Sequence, residues 1–156
     1  MVKVLQKNSH YLAFGIAVIA TLSSLYFSEV LHYPPCVLCW YQRIFMYPIV
    51  LILGVGIYFR DRFVYRSVLL LSSIGLLISV YHNLLYYKIL PESAAPCTLG
   101  VSCTTQFIEW FGFVTIPFLS GLAFALIIIC MLLYKLLNKA SEKGNSDAIG
   151  QLADCY

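Results

Sequence analysis

Polar and charged positions fall in clusters along this chain, and four long apolar stretches run between them. They extend from Tyr11 to about Leu31, Tyr41 to Phe59, Ser67 to Tyr87 and Phe111 to Tyr134. Each is long enough to cross a hydrocarbon core of ~30 Å at about 1.5 Å per residue. Backbone groups in lipid must find hydrogen-bond partners within their own segment, so the stretches are predicted to be helices. The pattern therefore predicts an all-α integral membrane protein, a four-transmembrane-helix bundle with short loops. One membrane domain occupies residues 1–137. The polar, Gly- and Ser-containing tail, residues 138–156, is expected to be a disordered cytoplasmic segment.

Composition strengthens this picture. Of 156 residues, 61% are hydrophobic and 11% charged, with a mean hydropathy of +0.84. No soluble domain of this size has enough interior for so much apolar side chain, so membrane lipid is the expected solvent and first partner. The net charge of +3 is explained by placement rather than by an anionic ligand. Lys3 and Lys7 precede the first span, Arg60, Arg62 and Arg66 lie between the second and third, and Lys135, Lys139 and Lys143 follow the fourth. Only Arg43 and Lys88 lie on the other side. Basic residues concentrate on the cytoplasmic side, so both termini are expected there, and nucleic acid is not an expected partner. Thr21-Leu22-Ser23 has the small-x-small form of a signal cleavage site but falls inside the apolar run, so the first span is expected to be retained. The loops 29–41 and 88–110 then face outward, where disulfides persist.

Small residues spaced four apart, Ala17 with Thr21, Gly75 with Ser79 and Gly121 with Ala125, would let helices approach closely. Pro48 and Pro117 are expected to kink their spans near the outer face. Tyr26, Phe27, Tyr33, Trp40, Tyr41, Tyr86, Tyr87 and Trp110 gather near the outer boundary, most of them as an interface belt.

The candidate chemistry lies in the cysteines. Cys36-Val37-Leu38-Cys39 follows Pro34-Pro35 at the mouth of the second span, with Arg43 one turn beyond Cys39 on the same helix face. A helix N-terminus and a nearby guanidinium both favour thiolate over thiol. Cys97 and Cys103 lie in the second outer loop, framed by Pro96 and Gly100, with five residues between them. Cys130 falls near the inner end of the fourth span and reads as a small buried apolar residue; Cys155 lies in the tail. The four outward cysteines admit a zinc site, two static disulfides, or two exchanging disulfides. The five-residue gap counts against zinc, whose second ligand pair usually repeats a shorter spacing, and no metal is assigned. Arg43 at the bilayer boundary favours exchange, because a static disulfide has no use for a costly charge there.

The Cys36-Val-Leu-Cys39-(x)2-Gln42-Arg43 run, the second outer pair and Gly112-Phe-Val-Thr-Ile-Pro117 together resemble the DsbB family of disulfide-forming membrane oxidases over Tyr11 to Tyr134. The short second loop is similar to BdbC-type members. The resemblance implies a quinone-dependent thiol–disulfide oxidoreductase of the bacterial plasma membrane. It would reoxidise a thioredoxin-like extracytoplasmic thiol oxidase of the DsbA or BdbD type and pass electrons to menaquinone or ubiquinone. It also implies Cys36, Cys39, Cys97 and Cys103 as catalytic residues. Cys97 would take the mixed disulfide, Cys103 would hand oxidation to Cys36, and Cys39 would lie nearest the quinone. Arg43 and His82, the latter near the outer end of the third span, become cofactor-binding candidates. Glu29, His32 and Glu92 are expected to be solvated loop groups, and Glu109 a weaker quinone-side candidate. Two rivals remain: a vitamin K epoxide reductase-like quinone reductase, whose Cys-x-x-Cys lies in the last core helix rather than the second span, and a small membrane assembly protein with two structural disulfides.

Overall fold

A computed structural model of the chain describes the backbone of residues 2–32, 34–59, 61, 63–90 and 115–153, and the side chains of those between 8 and 139. Cys97, Cys103, Cys155, Glu92, Glu109, Trp110 and the expected beginning of the fourth span at Phe111 lie outside the described residues. Four helices follow one another: α1 (Val2–Glu29), α2 (Val37–Phe59), α3 (Val64–Tyr86) and α4 (Ile116–Ala153). Their membrane-competent portions are Asn8–Glu29, Val37–Phe59, Val64–Tyr86 and Ile116–Lys139, close to the lengths the apolar pattern predicts. Successive crossings of the membrane make sequential neighbours antiparallel, the α1–α2 and α2–α3 links being short, and α1 also packs on α4, closing a ring.

Each helix buries one stripe. On α2 it is Leu38, Gln42, Met46, Ile49, Leu53 and Gly56; on α3 it is Val64, Val68, Ser72, Gly75, Ser79, His82 and Leu85. Spacings of three and four keep each stripe on one face of a 3.6-residue helix. Large apolar residues such as Ile19, Leu51, Leu77 and Leu122 point outward, as a lipid-facing surface requires. The interior half nearest the termini is mainly apolar, with Ile49, Leu53, Val68, Phe124, Ile127 and Met131 fully buried or nearly so, beside the buried Ser9, His10 and Ser72.

Small residues set the α3–α4 distance. A Cβ on Gly75 would stand 2.5 Å from the Phe124 ring, and one on Gly121 would stand 2.7 Å from Ser79 Oγ. The close approach also lets Ser79 Oγ donate to the Pro117 carbonyl at 2.9 Å. Ser120 Oγ donates to the same oxygen at 2.8 Å.

Two expectations are corrected. Pro117 does not kink the fourth span; it lies in the first turn of α4, where its missing N–H leaves no carbonyl unpaired. Thr115 caps that helix, accepting from Phe118 N–H at 3.3 Å through Oγ1. The tail is not structureless either, since α4 continues to Ala153. Propagation on a formed helix avoids the cost of nucleation, and Lys139, Ala140, Glu142 and Lys143 are good helix formers.

Candidate functional site: a dithiol, a histidine and an apolar cavity

Cys36 is the N-cap of α2. Its carbonyl accepts the first helical bond from Trp40 N–H at 3.1 Å, and its sulfur accepts from Cys39 N–H at 3.4 Å. A sulfur thus takes the place of the hydroxyl or carboxylate that usually satisfies a free amide of the first turn. Pro35 precedes it, and the two-residue spacing brings Cys39 round one turn to meet the cap. The two Sγ atoms are 3.0 Å apart, close enough to share a proton. Both are free thiols, the reduced state of the pair.

α3 supplies the third member. His82 Nε2 lies 3.7 Å from Cys36 Sγ, and Gln42, one helical turn after Leu38, reaches His82 Nδ1 at 3.4 Å. All three side chains are enclosed: Cys36 is 7%, Gln42 6% and His82 2% exposed. The hydrogen bond with Cys39 does most to hold Cys36 below the ordinary thiol range. Burial opposes this, and His82 adds to it by a hydrogen bond and by charge. Cys36 is therefore the sulfur favoured as thiolate.

Arg43 is anchored to α1. Its Nη2 donates to the Ser24 carbonyl at 2.8 Å and its Nη1 to Ser28 Oγ at 3.2 Å. The guanidinium stands 5.7 Å from the Trp40 ring centroid, in cation–π range. Its Nε is buried with no hydrogen-bond partner among the described residues. Anchoring on α1 was not visible in the spacing of Cys39 and Arg43; the serine pair Ser24 and Ser28, four apart at the end of the first span, was the available signal.

These groups open onto one cavity of about 480 Å³ enclosed by α1, α2, α3 and α4. Cys36, Cys39, Gln42, Arg43 and His82 form its polar end, and Ile16, Ala20, Met46, Phe124 and Leu126 contribute to its apolar walls. The cluster thus unites Cys36, Cys39, Arg43 and His82 of the expected site and adds Gln42, which sequence reasoning quoted without a role. An amide inside a span was itself the sign, because polar side chains in lipid are kept for a partner. Glu29 and His32 are exposed, as expected.

Fold and site together define a membrane thiol–disulfide protein: four spanning helices with a buried, asymmetric dithiol at one end of the bundle. The chain belongs to the family described as "Disulfide bond formation protein DsbB", which matches residues 6–134. It is 50% identical over 125 residues to "Disulfide bond formation protein C" of Bacillus subtilis, covering 80% of this chain and 91% of that one. It is likewise 50% identical over 126 residues to "Probable disulfide formation protein C 1" of Bacillus cereus, covering 80% and 90%. A prophage-derived disulfide bond formation protein B of Bacillus subtilis is 42% identical over 122 residues, covering 78% and 81%. No solved structure matches the chain.

Proposed function

We propose that this protein reoxidises an extracytoplasmic thioredoxin-like thiol oxidase and delivers the two electrons to a membrane quinone. The observation that carries the proposal is the position of a reduced dithiol and a buried histidine at the head of a lipid-level apolar cavity. The residues fit a quinone: the cavity is of ligand size, its walls are apolar, and the unpartnered Arg43 Nε is a donor suited to a quinone carbonyl. When bound, the quinone supplies a two-electron, two-proton acceptor. Menaquinone and ubiquinone share that chemistry.

The protein's own residues do the rest. Cys97 and Cys103 receive the partner's electrons by thiol–disulfide exchange, and the resulting thiolate attacks the Cys36–Cys39 disulfide. That attack joins Cys103 to Cys36 and releases Cys39 as a thiol. Cys97, freed when the partner closes its own disulfide, then attacks the Cys103–Cys36 bond, re-forming Cys97–Cys103 and releasing Cys36 as a thiol. His82 takes the proton of the Cys36 thiol at Nε2, and Gln42 holds the ring in place through Nδ1. Arg43, fixed by Ser24 and Ser28, keeps positive charge beside the sulfur pair. The chain lies in the bacterial plasma membrane with both termini cytoplasmic, as the distribution of basic residues favours.

Trapping tests the reading. On a non-reducing gel, Cys103→Ser should accumulate a mixed disulfide between Cys97 and a thioredoxin-like partner supplied in its disulfide form: the Cys97 thiolate attacks that disulfide, and the loop thiol that would release the partner is gone. Trapping at Cys39 instead would reverse the division of labour. Labelling of Cys97 only from the cytoplasmic side of intact cells would overturn the topology, and with it the function.

A further inference from the structure

The reduced cluster has a second capacity, independent of electron transfer. Cys36 Sγ, Cys39 Sγ and His82 Nε2 all lie within 4.8 Å of one another. A tetrahedral ion with bonds of about 2.3 Å to sulfur and 2.0 Å to nitrogen needs ligand atoms roughly 3.5–3.8 Å apart. Cys36 and His82 already stand at that separation, 3.7 Å. The sulfur pair, at 3.0 Å, would open by roughly 0.7 Å to reach it. Cys39 is only half-buried and borders the cavity, so its sulfur has room to turn.

The surroundings match a metal ligand set as well. Coordination through Nε2 places the imidazole proton on Nδ1, where a ligating histidine needs an acceptor. The buried Gln42 amide lies at that atom, 3.4 Å away, and presents Oε1 to it on a half-turn about its last bond. A divalent cation with two thiolates sums to zero charge, which suits a low-dielectric site. Three protein ligands leave a fourth position open toward the cavity, for water or another oxygen donor.

We propose that the reduced Cys36–Cys39 pair and His82 form an inhibitory site for a thiophilic d10 cation of the Zn²⁺ type. Binding displaces the two thiol protons to solvent and leaves the metal's oxidation state unchanged. The disulfide form has no thiolate ligands and does not bind, so the ion and the oxidised pair exclude each other. Occupation withholds both sulfurs from exchange; that consequence, unlike the binding itself, rests on the proposed function. This donor set differs from the four-cysteine one that spacing disfavoured, since it draws its third ligand from α3.

The test uses the full chain in nanodiscs with Cys97→Ser and Cys103→Ser, reduced with a phosphine that is then removed. Zn²⁺ is titrated against a chromophoric chelator. One ion per chain is expected in the reduced protein and none after oxidation to the disulfide. His82→Ala should weaken binding at least tenfold, Gln42→Leu by about 10- to 100-fold or less, and Cys130→Ser not at all. Co²⁺ in the protein without these further changes should give thiolate-to-cobalt absorption with tetrahedral d–d bands, a readout that does not depend on the folding of a His82 variant. Equal Zn²⁺ uptake by the reduced and disulfide forms, unchanged affinity in His82→Ala, or octahedral cobalt bands would each overturn the site. In the native four-cysteine chain, Zn²⁺ should stop quinone-linked oxidation of a partner dithiol, with recovery on chelation. Normal turnover with no ion retained sinks the metal site and spares the function; ion retention without any quinone-linked turnover does the reverse.

Discussion

In the half of the bundle nearest the termini, Ile49, Leu53, Val68, Ile127 and Met131 close on one another in an apolar core, with Ser9, His10 and Ser72 the buried polar residues beside it. In the other half the same stripes carry Gln42, Ser79 and His82, and the helices part around a 480 Å³ cavity. One set of helices thus changes from dispersion packing to polar contacts over about two turns. The first half gives rigidity, since close-packed apolar side chains have few alternative arrangements. The second gives up packing around a dithiol, a histidine and a guanidinium, the groups the proposed function uses. Stability and chemistry should therefore respond to mutation separately.

The sharpest way to break that division is to mutate both halves. Cys36→Ser should lower quinone-linked thiol oxidation by about 10³-fold or more, the scale expected for loss of a reacting nucleophile, with unchanged insertion and melting. Leu53→Ala should cost about 3 kcal/mol of stability through an unfilled cavity while the residual folded protein turns over normally. Turnover assays beside thermal unfolding in nanodiscs decide it. A large melting loss in Cys36→Ser would mean that the site also holds the bundle together.

Arg43 tests the boundary between the halves. Lysine keeps the charge but loses the planar fork that spans Ser24 and Ser28. Quinone reduction should fall about tenfold in Arg43→Lys and about a hundredfold in Arg43→Ala, the scale of a lost preorganised donor. Equal turnover in all three proteins would make Arg43 an interface anchor only.

A smaller effect concerns pH. Cys36 titrates below the ordinary thiol range, chiefly through the Cys39 thiol and further through His82. The thiolate is the form that is alkylated, so reduced Cys36 should stay reactive on the acid side of neutrality. His82→Ala removes one lowering influence, and the midpoint should move up. At pH well above both midpoints the two proteins should react alike. Alkylation rates of the Cys36 peptide by mass spectrometry give both curves; a midpoint that moves down would exclude His82 as the thiolate's partner.

The same division explains what the sequence made legible. The four spans follow from apolar length, which is a local property, and Cys36, Cys39 and Arg43 share one helix, so their proximity follows from period alone. His82 was placed at the right depth by counting residues. Its contact with Cys36, 46 positions away, depends on how α2 and α3 are rotated against each other, which no count of residues supplies. Gln42 was missed for that reason, and Pro117 was misjudged because its role depends on where α4 begins. The loop pair Cys97 and Cys103 remains known from sequence and family resemblance alone.

The smallest predicted effect lies at the seam joining the two halves. Ser79 is one turn below His82 on α3, and its Oγ donates to the Pro117 carbonyl that opens α4. Replacing it with alanine removes that bond, and interhelical hydrogen bonds in membranes average about 0.6 kcal/mol. The loss should be no greater here, because Ser120 Oγ still donates to the same carbonyl and alanine keeps the small volume that Gly121 faces. Stability should therefore drop by roughly half a kcal/mol, with turnover within twofold of the parent. A tenfold loss of turnover at that stability would show that the α3–α4 spacing positions His82 against Cys36, joining chemistry to packing across the seam. Unchanged turnover would leave Gln42 and the Cys36 cap as the contacts that hold the histidine in place.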